Sequence, residues 1–188
     1  MTRSEAAQAL LQYFVVPIWV LAGLADWLCH RRACIEATAG PKESMLHLLL
    51  FAELGLPLLL VLFFEVNALL FAVMILAWVV HEATTWWDLS YAVSRRTVGP
   101  VEQQVHSVLE MAPLMAVLLL AVLHWPQFLA LWGLGDEAPR FVLQRKSEPL
   151  SGAYVAGLLA SVVLLNGLPF IEELLRGLRR AHRQRSAP

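Results

Sequence analysis

Long apolar runs, with polar residues gathered towards their ends, divide the chain. They predict spanning helices over residues 9–33, 41–64, 68–94, 100–123 and 153–171, because about 20 mostly apolar residues cross the hydrocarbon core of a bilayer. Only Glu65-Val66-Asn67 separates the second helix from the third, which predicts a tight turn. Residues 124–150 break the pattern with prolines, Gly133 and Gly135, and predict an extracytoplasmic loop with Trp125 and Trp132 as interfacial anchors. Residues 172–188 form a basic tail. The expected fold class is all-α: one integral membrane domain of five transmembrane helices.

The starts of the second and fourth helices repeat each other. Residues 40–47 read Gly-Pro-Lys-Glu-Ser-Met-Leu-His and residues 99–106 read Gly-Pro-Val-Glu-Gln-Gln-Val-His. Proline is tolerated in the first turn of a helix, so each Gly-Pro ends one element and opens the next. Glu and His four apart then project about 40° apart on that helix. Each copy joins an inward-running helix to an outward-running one. Helices one to four therefore predict a duplicated hairpin about a pseudo-twofold axis along the membrane normal, closing into a four-helix bundle. The fifth helix bears Asn166 and Pro169 but no histidine, and reads as scaffold.

Charge sets the orientation. Arg31, Arg32, Lys42, Arg95, Arg96, Arg176, Arg179, Arg180, Arg183 and Arg185 fall on one side, and Arg3, Arg140, Arg145 and Lys146 on the other. The positive-inside rule then predicts a bacterial inner-membrane protein with its N-terminus outside and its C-terminus cytoplasmic. With 59% hydrophobic and 15% charged residues, the composition is far from the roughly 25% charge of a soluble domain. No nucleic-acid partner is expected, and membrane lipids are. Cys29 and Cys34 are too few for a disulfide framework and read as reduced thiols.

The candidate chemistry lies in the ionisable residues of the four repeat helices. The first offers Asp26 and His30; the second Glu43, His47 and then Glu53; the third His81 and Asp88; the fourth Glu102, His106 and Glu110. All lie towards the cytoplasmic end. A charged side chain deep in a membrane helix costs upwards of about 2.5 kcal/mol, so acids from four helices at one level imply a shared partner. Metal ions pair carboxylates and accept neutral imidazoles as ligands. Asp26, His30, Glu43, His47, His81, Asp88, Glu102, His106 and Glu110 are the expected metal ligands, with Glu53 and Glu82 supporting them. Arg31, Arg32, Arg95 and Arg96 lie at the cytoplasmic rim, where they can neutralise some of the acids. A proton relay or a set of buried ion pairs is the competing explanation.

The motifs Asp26-Trp27-x-x-His30, Glu43-x-x-x-His47, Glu102-x-x-x-His106-Ser107-x-x-Glu110 and Leu168-Pro169-Phe170-Ile171-Glu172-Glu173 resemble those of an uncharacterised family of small bacterial integral-membrane proteins. At the level of class only, the chain is similar to membrane di-iron hydroxylases and desaturases. It lacks their HxxxH and HxxHH boxes. That similarity implies lipid-like substrates met from the cytoplasmic face.

The expected function is a di-metal oxidoreductase holding two ions, iron first and manganese or zinc as alternatives. It acts on a hydrophobic or lipid-like substrate and needs a separate electron donor. A zinc-dependent membrane hydrolase is the second reading. A metal-ion transporter or sensor is the third, and the almost purely apolar extracellular halves of the helices speak against it.

Overall fold

The computed structural model describes residues 1–186; the last two residues of the expected basic tail lie outside the described residues. Among the described residues seven helices follow in order: α1 Arg3–Ala33, α2 Ile35–Thr38, α3 Pro41–Phe63, α4 Ala68–Val93, α5 Pro100–Leu123, α6 Trp125–Leu131 and α7 Gly152–Arg185. Five of them, α1, α3, α4, α5 and α7, are long and apolar enough to cross a membrane. The chain is an all-helical, multi-pass membrane protein.

Local chemistry sets the helix ends. A capping box of Thr2 and Glu5 starts α1 ahead of the apolar run, so it begins at Arg3 and not near residue 9. Cys34 stops it in the left-handed region at φ 51°, a conformation that turns the chain sharply at a helix end. Gly40, at φ 76°, allows the turn into Pro41. Asn67 caps α4 by accepting from the Leu70 amide at 3.3 Å. Both α1 and α7 contain a π-turn just ahead of a proline, at Leu11–Val15 before Pro17 and at Val163–Gly167 before Pro169. The wider turn accommodates a ring that cannot donate to the ladder.

The packing joins consecutive helices and helices distant in sequence alike. α1 packs on α5, α3 packs on α4, and α7 lies along both α3 and α1. The fifth spanning helix, read from the sequence as scaffold, is thus packed into the bundle. Two close approaches explain its position. A Cβ at Gly23 would fall 1.8 Å from the Asn166 side chain, and one at Gly177 would fall 3.1 Å from the Pro41 backbone. Asn166 also donates to the Val20 carbonyl at 3.1 Å. The helix continues past residue 171 because Glu173 and Gly177, one turn apart, are buried as it runs on to Arg185.

At the opposite end, residues 138–148 strap the turn between α3 and α4. Glu65 donates its amide to Gln144 at 2.8 Å, and Lys146 donates to Phe63 at 3.1 Å. Gln127 of α6 is buried, and its side-chain carbonyl accepts from the Arg140 amide at 3.0 Å. Trp125 stacks on Phe128, which meets Phe71 of α4 edge-on.

Candidate metal centre

The arginine-rich end of the bundle collects the polar residues. Asp26 and His30 come from the last turns of α1, Glu43 and His47 from the first turns of α3, Asp88 from late α4, and Glu102 and His106 from early α5. Asp26, His30, Glu43, His47, Asp88 and Glu102 are all buried. The side chain of His106 is 19% exposed. The seven residues come together as the sequence predicts.

A residue that the sequence reading left in the tail organises them. Glu173 of α7 is fully buried, with one carboxylate oxygen 2.7 Å from His47 Nδ1 and the other 3.0 Å from His30 Nδ1. A carboxylate only accepts, so both imidazoles donate from Nδ1 and turn Nε2 inward, the nitrogen that carries the lone pair in the neutral ring. There they face more carboxylates. His30 Nε2 is 3.4 Å from Asp26 and 3.5 Å from Glu102, and His47 Nε2 is 3.5 Å from Asp88. The two rings lie nearly parallel, 10° apart in plane, with centroids separated by 4.2 Å. His106 Nε2 lies 3.0 Å from the same Asp26 oxygen that faces His30.

The second unforeseen arrangement is at Arg96, in the connection between α4 and α5. Its buried guanidinium donates to Glu43 at 2.5 and 3.0 Å and to Glu102 at 2.5 and 2.9 Å. The glutamates of both repeat copies therefore share one cation. Burial alone would lower the pKa of Arg96, but its hydrogen bonds to Glu102 and Glu43 outweigh that and hold the group above the usual arginine range. On the outer side, Glu172 accepts from Arg31 at 2.9 Å and from the Trp27 indole at 3.2 Å, fastening α7 to α1. Arg176 reaches Glu36 of α2.

The donor set suits a metal ion. Asp26, His30 and His106 bring three ligand atoms within 4.8 Å of one another, and so do His30, Glu43 and His47. Each triad is two imidazoles and one carboxylate, a set used by non-haem iron and by zinc. Asp26 Oδ1, His30 Nε2 and Asp88 Oδ1 are buried with no hydrogen-bond partner. Unpaired buried polar atoms are rare and costly, and metal ions bound within the cluster would give them partners. Glu173 fixes the ring orientation of two of these histidines, as carboxylates do behind metal-bound imidazoles.

The other predicted residues stand apart from these triads. His81 Nδ1 lies 3.6 Å from Glu53, which also accepts from Thr84 at 2.8 Å. Both Glu53 Oε2 and His81 Nδ1 are buried without a hydrogen-bond partner. Glu110 and His81 line a cavity of about 120 Å³ whose polar wall is Asp26, His47, Asp88 and His106. Glu82 belongs to neither triad and does not line that cavity.

Glu173 had a signal in the sequence: an acidic pair, Glu172-Glu173, opening an otherwise basic segment. Arg96 had one too, since two acids at equivalent places in a repeat call for a shared cation. With the geometry established, comparison adds no relative: no known family, no curated protein and no solved structure matches this chain.

Proposed function

We propose that the protein is a membrane metalloenzyme whose histidine–carboxylate cluster holds two divalent metal ions, iron by its donor set, and oxidises a hydrophobic substrate. The observation that carries this reading is charge. Asp26, Glu43, Asp88, Glu102 and Glu173 are buried together, and Arg96 is the cation bonded among them. Five carboxylates against one guanidinium leave four negative charges, which two divalent ions neutralise. Buried charges persist only when paired. Protonated histidines answer this poorly: three imidazolium ions would still leave one negative charge. The stacked rings of His30 and His47 would also place two like charges face to face.

Asp26, His30 and His106 would hold the first ion. His47 with Asp88 and Glu43 would serve the second, because His30 cannot give its one inward nitrogen to both. Iron bound there would supply the redox chemistry, with electrons from a separate donor. The chain's own residues orient and enclose. Glu173 aims two imidazoles, and Arg96 holds Glu43 and Glu102 in register. The helices are read as a duplicated hairpin, because the pairings of α1 with α5 and of α4 with α3 exchange under a twofold that superposes the repeat copies. The charge bias supports a cluster at the cytoplasmic side of a bacterial inner membrane.

A zinc hydrolase is the second reading, favoured by the same two-histidine, one-carboxylate triads. Elemental analysis of the purified protein, with thermal melts in detergent with and without chelator, decides between them. Two irons per chain and a midpoint lowered by chelator are expected. One zinc per chain would favour the hydrolase. Protein that is metal-free as purified and indifferent to chelator would overturn both readings and leave an ion-pair or proton-relay network.

A further inference from the structure

A second cavity, of about 380 Å³, opens towards the loop end of the bundle. It shares Val16, Trp19, Leu54 and Leu58 with the inner cavity that reaches the cluster. All four are buried or half-buried, so the two spaces adjoin across the inside of the bundle. The polar groups are segregated to the two ends. Gln8, Gln12, His124, Lys146 and Glu148 line the outer space near its mouth, and the metal-centre residues line the inner end. Elsewhere the walls are mostly apolar, with His81, Thr85, Glu110 and Asn166 also lining the inner cavity.

We infer that the two cavities together bind one long-chain amphiphile, its uncharged hydrogen-bonding head at the loop end and its alkyl chain running inward to the cluster. The inference deepens the oxidoreductase reading as to substrate class and rests on it for what happens at the metal. Three observations support it. From Gln12 to Asp26 the helical rise covers about 21 Å, the length of a saturated chain of about sixteen carbons. The smaller inner cavity admits a chain end and not a second headgroup. At the mouth, Lys146 is accompanied by Glu65 and Glu148, so no surplus cation awaits a carboxylate or phosphate. Serine and glutamine side chains there suit hydroxyl and ester groups.

Gly55 supplies the means of testing it. This residue lines the inner cavity, and a Cβ built on it meets nothing within 4 Å. Gly55→Phe therefore adds a ring at the wall of the inner cavity, two turns along the helix from His47. The probes are 1-monopalmitoylglycerol carrying a diazirine at the chain terminus or beside the ester, photolysed with the purified protein and mapped by mass spectrometry. The terminal probe is expected to mark Phe51, Leu89 or Leu109, and the ester-side probe Gln12 or Tyr154. Unlabelled monopalmitoylglycerol should suppress both at least tenfold better than palmitate or lysophosphatidylcholine. Gly55→Phe should abolish the inner adducts and retain the metal content of the wild type. Labelling of lipid-facing Leu76 and Trp86 as strong as that of the cavity residues would overturn the inference. So would competition by palmitate equal to that by monopalmitoylglycerol, whatever the variant does. Specific labelling of a metal-free protein would retain the binding site and remove the enzyme reading.

Discussion

The two copies of the repeat begin alike and end in different surroundings. Glu43 and Glu102 share one guanidinium, with contacts of similar length. Their histidines do not share an environment. His47 is buried and fixed through Nδ1 by Glu173, whereas His106 is partly exposed and meets Asp26 through Nε2. The difference comes from α7, which packs along α3 and has no comparable contact with α5. The repeated octapeptide places the two histidines in equivalent positions, and a helix outside the repeat fixes one of them. The rigid histidine should hold its ion when the other exchanges.

The largest expected effect tests what the copies have in common. Arg96→Gln leaves Glu43 and Glu102 buried without their cation, and breaking a buried pair in this way costs about 3–5 kcal/mol. A chemical or thermal melt of the metal-loaded protein should show that loss. Adding either Glu43→Gln or Glu102→Gln should recover a similar part of it. Recovery by only one of the two would break the equivalence of the glutamates.

A smaller effect tests the difference. Glu173→Gln keeps the shape but weakens the hold on Nδ1 of His30 and His47, and losing such a partner typically lowers metal affinity by about 10–100-fold. Combined with His47→Ala, its effect should be strongly non-additive, and combined with His106→Ala nearly additive. Competition against a calibrated chelator measures both cycles. Equal coupling to the two histidines would show that α7 does not distinguish the copies.

The smallest effect reaches the same contrast from a distance. Gly177 lies against Pro41, the proline of the first copy, where an added Cβ would fall 3.1 to 3.3 Å from backbone and ring atoms. Gly177→Ala should cost about 1–3 kcal/mol through overpacking and shift Glu173, one turn away. Metal affinity should fall less than in Glu173→Gln. An affinity equal to the wild type's, with unchanged stability, would show that the contact does not set the position of Glu173.

The five spans were legible because apolar runs of membrane length have few other uses. The cluster was legible because buried charge is costly, so Asp26, His30, Glu43, His47, Asp88, Glu102 and His106 at one level had to meet. What escaped was whatever depended on packing between distant segments. Arg95 and Arg96 look alike in the sequence, yet one is exposed and the other has a side chain only 4% exposed. Nothing in their immediate neighbours says which one turns inward. Glu173 sits in a segment whose basic residues suggested a solvated tail, and its partners are 126 and 143 residues away. His81 and Glu53 follow the same lesson: spacing along a helix placed His81 on a shared face, but depth separated it from the triads.

The bridge from Glu173 to His30 and His47 also bears on biosynthesis. The first four spanning helices contain every histidine of the two triads, and they leave the ribosome before the helix that aims two of those rings. Until that last helix inserts and its glycine settles against Pro41, His30 and His47 lack the partner that selects their tautomer. Tight loading should therefore be a late step in assembly, and a nascent four-helix intermediate should release metal that the finished protein retains.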